Sequence, residues 1–440
     1  WRMWRILVRL KTYLGEQLWL KPALASAGAV FLAIVGLWFG QLYSGPLPIE
    51  LSDRALKDLL SIFASSMLAA ATFSVSAVVT AVSSVSNSTT PRASRLILSD
   101  PTTQNVLSSF IAAFIYSVIG ILALEAFTFD AVGRFVVFIG IAAIMTWVLV
   151  AFVHWIHHVM RLGRVETAIE KITDTAAESL IPDNVGQWGA HCYDGSVPAA
   201  AVAITSPEVG YVTNIYVAGM QKLAEELDVA IYVRVRPGDF VDSRTPIAYA
   251  SPVSDRVRER ADELQGLVAI APKRVFGPDV RFAFLNLAET ADRALSPGIN
   301  DPGTAIVILG HQLRAITQWR RVHDEPETNE VRFDRVYLPP LKAAELVGDC
   351  FTPIARDGAG VVEVGVRLQK TLGAVVRLDM PELTEAAVKM SQTSLVLAEN
   401  ALVAEVHKQS VRDAANEVLR LANAMSDADR NYSAGDDVNF

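Results

Sequence analysis

Six hydroxyl-bearing residues, Ser61, Ser65, Thr72, Ser76, Thr80 and Ser83, recur along one apolar stretch of the chain. At about 100° per residue they fall within roughly a 100° arc of a helix. A hydroxyl stripe in hydrocarbon needs hydrogen-bond partners. Small hydroxyl residues let neighbouring helices approach and bond across their interface. They also line water-filled conduits, where they replace the hydration of a solute. Both readings stay open. A second group, His154, His157 and His158, has i, i+3 and i+4 spacing, and His154 and His158 share a helix face that could present two imidazoles to a metal. No third ligand is evident, and beside Trp147 and Trp155 the rings equally suit an interfacial belt. The third group is the string Leu295-Ser-Pro-Gly-Ile-Asn-Asp-Pro-Gly-Thr-Ala305. It places Asn300 or Asp301 as an N-cap with Pro302 at the first helical position. The amides there, with Ser296, Gly298 and Thr304 nearby, could hold a ligand, although the Asp301 carboxylate argues against an anion. Structural capping is the simpler reading.

These residues need elements to hold them, and charge reveals what those elements are. The first 164 residues carry 12 Lys+Arg and 7 Asp+Glu, a net +5; the remaining residues carry 27 and 40, a net −13. The chain-wide values of −8 and 51% hydrophobic therefore average two unlike halves. The acidic balance disfavours nucleic acid as a partner. In the first half lie four long apolar segments, about 22–43, 59–85, 101–124 and 135–158, each long enough to cross a bilayer as a helix. Arg2, Arg5, Arg9, Lys11 and Lys21 precede the first, Arg92 and Arg95 follow the second, and Arg161, Arg164 and Lys171 follow the fourth. The positive-inside rule then puts both termini in the cytoplasm of a bacterium, with the protein in the inner membrane. Residues 1–20 also read as an amphipathic segment on the inner leaflet, or simply as a basic flank.

The expected architecture is an α-helical membrane domain (21–164) followed by a cytoplasmic α+β region. Its β-rich part (165–275) includes the strands Gly210–Val217 and Val229–Val235, with a helical insert over Ala218–Asp228. The turn Pro237-Gly238-Asp239 leads into a further strand with Pro246–Tyr249, since Pro presets φ and Gly supplies positive φ. This pattern is similar to the barrel-sandwich modules of biotinyl and lipoyl carriers and efflux adaptors, over about 40 residues. No lysine occupies a hairpin position that would accept a prosthetic group, so a docking or structural use is expected. From 276 to 425 the spacing is helical, with a strand at Val331–Leu338 and one long helix over Pro381–Met425; a disordered tail is expected from 426 to 440.

No phosphate-binding Gly-Lys loop, Gly-x-Ser-x-Gly elbow or His-Glu-x-x-His is present, so the sequence leans away from an enzyme and implies no cofactor. Two cysteines, Cys192 and Cys350, allow no disulfide framework; Cys350 reads as a core residue and His191-Cys192 as a weak metal fragment. The strings Ser296-Pro-Gly-Ile-Asn-Asp-Pro302 with Thr304-Ala305, Arg236-Pro-Gly-Asp-Phe-Val241, and Pro91-Arg92 after a Ser-rich span resemble the bacterial predicted membrane proteins of domain-of-unknown-function 2254. The resemblance covers nearly the whole chain and implies a polytopic inner-membrane protein with a cytoplasmic C-terminal part, without an assigned activity. The functional expectation is a homo-oligomeric channel or transport-type protein, since four spans are few for a pathway within one subunit. The alternative is a membrane-anchored sensor or scaffold that binds a solute, ligand or protein partner through its cytoplasmic part.

Overall fold

The computed structural model describes residues 52–90, 101–193 and 195–436, together with scattered helical positions between 23 and 38. The expected interfacial segment at 1–20, most of the 22–43 span and the Pro91-Arg92 pair lie outside the described residues. The chain divides into two compact units, one of residues 1–87 and 91–168 and the other of 88–90 and 169–440.

In the first unit, three described helices are long and apolar enough to cross a membrane: α1 (Asp53–Ser88), α2 (Pro101–Ala126) and α3 (Ala131–Leu162). Their windows have mean hydropathies of 1.9, 2.3 and 2.7. At 1.5 Å per residue even the shortest, of 26 residues, is about 39 Å long, beyond the ~30 Å of a hydrocarbon core. Local chemistry sets their ends. The Ser52 hydroxyl accepts the Ala55 N–H at 3.2 Å to start α1, and the Asp130 carboxylate accepts the Gly133 N–H at 2.8 Å to start α3. Charges from the start of α1, the end of α2 and the start of α3 meet at one end of the helices. Lys57 pairs with Glu125, and Arg134 lies 3.6 Å from Asp53. At the other end Ser84 donates to the Gly163 carbonyl at 3.4 Å. The three helices thus alternate in direction, as the sequence requires for successive spans. Between them Phe110, Val148, Trp155 and Val85 form a buried seam.

Helix α4 (Val165–Ser179) crosses from the first unit into the second, and a single turn, α5 (Pro182–Val185), follows it. Eight strands follow: β1 (Ala190–Cys192), β2 (Val202–Thr205), β3 (Gly210–Ile215), β4 (Ala230–Val233), β5 (Phe240–Val241), β6 (Pro246–Ser251), β7 (Val268–Ala271) and β8 (Phe333–Leu338). Helix α6 (Val217–Leu227) lies between β3 and β4, where the insert was expected, and short helices α7 (Asp255–Glu259) and α8 (Ala261–Gln265) precede β7. The strands form a five-stranded sheet of order β1-β8-β4-β6-β2 and a three-stranded antiparallel sheet of order β5-β3-β7. This differs from the expected barrel-sandwich of about 40 residues. β8 arrives from beyond residue 275 and pairs parallel with both β1 and β4, so the two expected C-terminal pieces share one sheet. Ile231, Val233, Ile247, Val336 and Leu338 point into the common core with Met220 and Leu223 of α6.

The helical part comprises α9 (Val280–Leu295), α10 (Pro302–His323), α11 (Ala343–Asp357), α12 (Val362–Val376), α13 (Pro381–Ala401) and α14 (Glu405–Asp436). Phe284, Leu287, Ile308, Trp319, Phe351 and Leu372 are among its fully buried side chains. The single helix expected over 381–425 is broken at residues 402–404. Burial drives the break, because Leu402 and Val411 fold against Ala398 and leave Val403 97% exposed. Arg412 then bridges Glu399 and Glu405 across the bend, each at 2.5 Å. The backbone of α14 continues as helix through Asp436, ten residues beyond the expected start of the disordered tail.

Candidate functional site

Ser61, Ser65, Thr72, Ser76, Thr80 and Ser83 are all exposed on α1. Four of the six hydroxyls find their partner within α1 itself. Ser65 donates to the Ser61 carbonyl at 2.8 Å, Thr72 to Leu68 at 2.9 Å, Ser76 to Thr72 at 3.1 Å and Thr80 to Ser76 at 2.9 Å. Each of these four hydroxyls closes onto the carbonyl one turn back, which satisfies its donor within the helix. The face keeps small side chains and spare acceptor lone pairs. Between α1 and α3, on the side of α1 away from this face, runs an apolar groove of about 410 Å³ lined by Phe63, Met67, Leu149 and Phe152.

The histidines separate. His158 turns inward, its Nε2 3.2 Å from the Thr103 hydroxyl and its ring 5.9 Å from the buried Trp155. His157 Nδ1 lies 3.0 Å from the Val153 carbonyl, and His154 is exposed. Among the described residues no group of three or more His, Cys, Asp or Glu is placed to hold a metal. His191 stacks on Tyr337 at 5.0 Å, and Tyr337 on Tyr232 at 4.7 Å, so it is the end of an aromatic ladder across β1, β8 and β4. Cys350 lies buried in the helical core, where burial pushes its thiol up well above the ordinary range.

The Leu295–Ala305 string joins α9 to α10, and Asp301 rather than Asn300 is the N-cap. Its Oδ1 accepts the Thr304 N–H at 3.1 Å and its Oδ2 the Thr304 hydroxyl at 2.6 Å. These bonds hold the Asp301 carboxyl below the usual carboxylate range. Asn300 takes the left-handed conformation at φ 52°, which an asparagine tolerates, and its N–H donates to the Ser296 carbonyl at 2.8 Å. Ser296 Oγ in turn donates to the Arg293 carbonyl at 2.6 Å. Gly298 sits at the exposed tip beside Ile299. With its carboxylate consumed, the cap offers no anion site.

The turn Pro237-Gly238-Asp239 forms where expected, and around it lie charges that spacing alone did not flag. Asp239 Oδ2 accepts the Arg236 N–H at 2.8 Å, closing the turn. Gly238 has φ +99°, and a Cβ there would lie 2.6 Å from both Asp279 carboxylate oxygens and 2.7 Å from Arg274 Nη2. Those two side chains form a bidentate pair at 2.7 and 2.8 Å, with Asp279 only 1% exposed. Burial raises the Asp279 carboxyl against the opposing pull of Arg274. Asp279 also caps α9 through the Phe282 N–H at 3.1 Å.

Arg236 itself is 9% exposed. It donates to the carbonyls of Asn184 and Pro339, both at 2.8 Å, and of Gly186 at 3.1 Å, with its guanidinium 4.7 Å from the Trp188 ring centroid. Desolvation lowers its pKa to about 10. The signal was present in the sequence as an arginine immediately before Pro-Gly, but its destination depended on residues 50 and 103 positions away.

Comparison with known proteins places the whole arrangement. A family model described as predicted membrane protein, domain of unknown function 2254, matches residues 15–374. Uncharacterised proteins of Mycobacterium tuberculosis and Mycobacterium bovis are each 26% identical over 425 residues, spanning 91% of this chain and 79% of theirs. No solved structure matches the chain. Three apolar helices of spanning length and the family match agree on a membrane location, and the chain belongs to the bacterial family of predicted membrane proteins with domain of unknown function 2254.

Proposed function

We propose that this protein is a homo-oligomeric channel or transport-type protein of the bacterial inner membrane, with the hydroxyl face of α1 meeting its symmetry mates or the permeant solute. The observation that carries this reading is the exposure of all six stripe residues, together with four donors satisfied within the helix. A helix face that bonds its hydroxyls to its own carbonyls gains little from lipid, which offers nothing to the remaining lone pairs. Water does offer donors to them, and a second copy of α1 can pack its small side chains closely against the same face. The span at 22–43 makes the fourth crossing, both termini are cytoplasmic, and the C-terminal unit serves as vestibule or regulator. Solute flux in liposomes tests it, comparing the wild type with Ser65→Leu and Ser76→Leu. Reduced flux in either variant is expected; unchanged flux in both removes the conduit assignment, and a monomeric mass in mild detergent removes the oligomer.

A sensor or scaffold is the second reading, favoured by the exposed tip of the α9–α10 loop, where Ile299 is 41% exposed beside Asn300. A protein partner would be recognised there through Pro297–Asn300. In that case Asn300→Ala abolishes partner capture in a pulldown while leaving the fold intact.

A further inference from the structure

The cap of α10 holds its own carboxylate, but the opposite arrangement occurs at the Arg236 turn. A cavity of about 130 Å³ opens there, well above the ~10–15 Å³ that a single water needs. Arg234, Arg236, Arg281 and Lys342 line it against Asp239 and Glu345, two more positive groups than negative. The two carboxylates are already engaged. Asp239 takes the Arg236 N–H, and Glu345 pairs with Arg281 at 2.6 Å. Arg281 also pairs at 2.6 Å with Asp349, which lies outside the lining, so the local excess is one positive charge. Arg236 forms no ion pair among the described residues, and its bonds to carbonyl oxygens fix its position without cancelling its charge. The cavity wall also contains the start of α11, whose N-cap residue, Lys342, makes no side-chain cap bond, so the positive end of the helix adds to the same field.

We propose that this cavity is a binding site for a small phosphate, inorganic or as a soluble monoester. A tetrahedral oxyanion fits the volume and accepts several charge-assisted bonds at once. It would neutralise the excess positive charge that the fold carries there, which carbonyl dipoles leave in place. The site lies wholly within the second unit, so it is independent of whether α1 lines a conduit.

The test is isothermal titration of the full-length protein in detergent with inorganic phosphate at low ionic strength. Saturable binding with Kd below about 1 mM is expected. Lys342→Ala should weaken it about tenfold, the scale of one charge-assisted hydrogen bond. Glu345→Gln should tighten it several-fold by removing a negative wall. Both side chains reach solvent, and the melting temperature without phosphate checks that each variant folds. No saturable binding below 10 mM (roughly −3 kcal/mol) overturns the proposal. So does an affinity equal to wild type in either variant, since phosphate would then bind elsewhere. Competition by glycerol phosphate at the same site would identify monoesters as ligands as well; displacement by inorganic phosphate alone would restrict the site to the free ion.

Discussion

Replacing Gly238 by alanine tests the reasoning about the turn most sharply, because two separable costs meet at that residue. One is conformational. At φ +99° an L-residue carries strain of about 1–2 kcal/mol. The other is steric and electrostatic. The new methyl would lie 2.6 Å from the Asp279 oxygens and 2.7 Å from Arg274 Nη2, closer than any Cβ tolerates, so the buried pair must separate or the turn must move. Disrupting a buried ion pair costs about 3–5 kcal/mol. Gly195 supplies the control, with φ +96° and nothing within 4 Å of its hypothetical Cβ. Gly195→Ala therefore incurs only the conformational part. The difference between the variants is about 3 kcal/mol, which at ~2–4 °C per kcal/mol for a unit of this size gives a gap in Tm of roughly 6–12 °C. Thermal unfolding of both variants in the same detergent, followed by near-ultraviolet circular dichroism, reads it directly. Melting of the two within about 2 °C of each other would refute the argument that Gly238 is required by the Arg274–Asp279 pair.

Asp301→Ala should cost about 1 kcal/mol at pH 7 by uncapping α10. The folded carboxyl sits below its ordinary value, so its stabilisation is complete above that value and is lost as pH falls through the lower, folded one. The stability difference between wild type and Asp301→Ala should then shrink on acidification through that window; a gap constant to pH 3 would contradict the assignment. Ser391→Ala removes the hydroxyl that donates to buried Gln369 Oε1 at 2.6 Å, and chemical denaturation should show a loss of about 1–3 kcal/mol. Adding Gln369→Met should recover part of it, because an apolar pair strands no acceptor.

What could be read from the sequence was chiefly local. The α10 cap was narrowed to Asn300 or Asp301 because its bonds span only three residues, and the Pro237-Gly238 turn needs only its own dihedrals. The insert at 218–228 matches α6 because its apolar spacing and its left-handed Asp228 end are near neighbours. The partners of Arg236, the close approach of Asp279 to Gly238 and the placement of β8 each join residues 40 or more positions apart. Nothing in a single sequence ranks such meetings. The break at 402–404 also escaped, since no Pro or Gly marks it and only the buried destination of Leu402 and Val411 enforces it. The hydroxyl stripe was visible from spacing, but spacing could not show that four of its donors would turn back onto their own helix.

The insertion of β8 between β1 and β4 has a consequence for the newly synthesised chain. β1 ends at Cys192 and its neighbour ends at Leu338, so at ~5–20 residues per second a ribosome needs roughly 7–30 s to supply the missing strand. During that interval β1 and β4 each present an unpaired edge, and α6 lacks part of the surface it covers. A chain terminated near Val275 would keep those edges permanently. The α9–α10 hairpin, made in between, must emerge before the sheet can close. Assembly of this unit is therefore a late event, completed only after most of its helices exist.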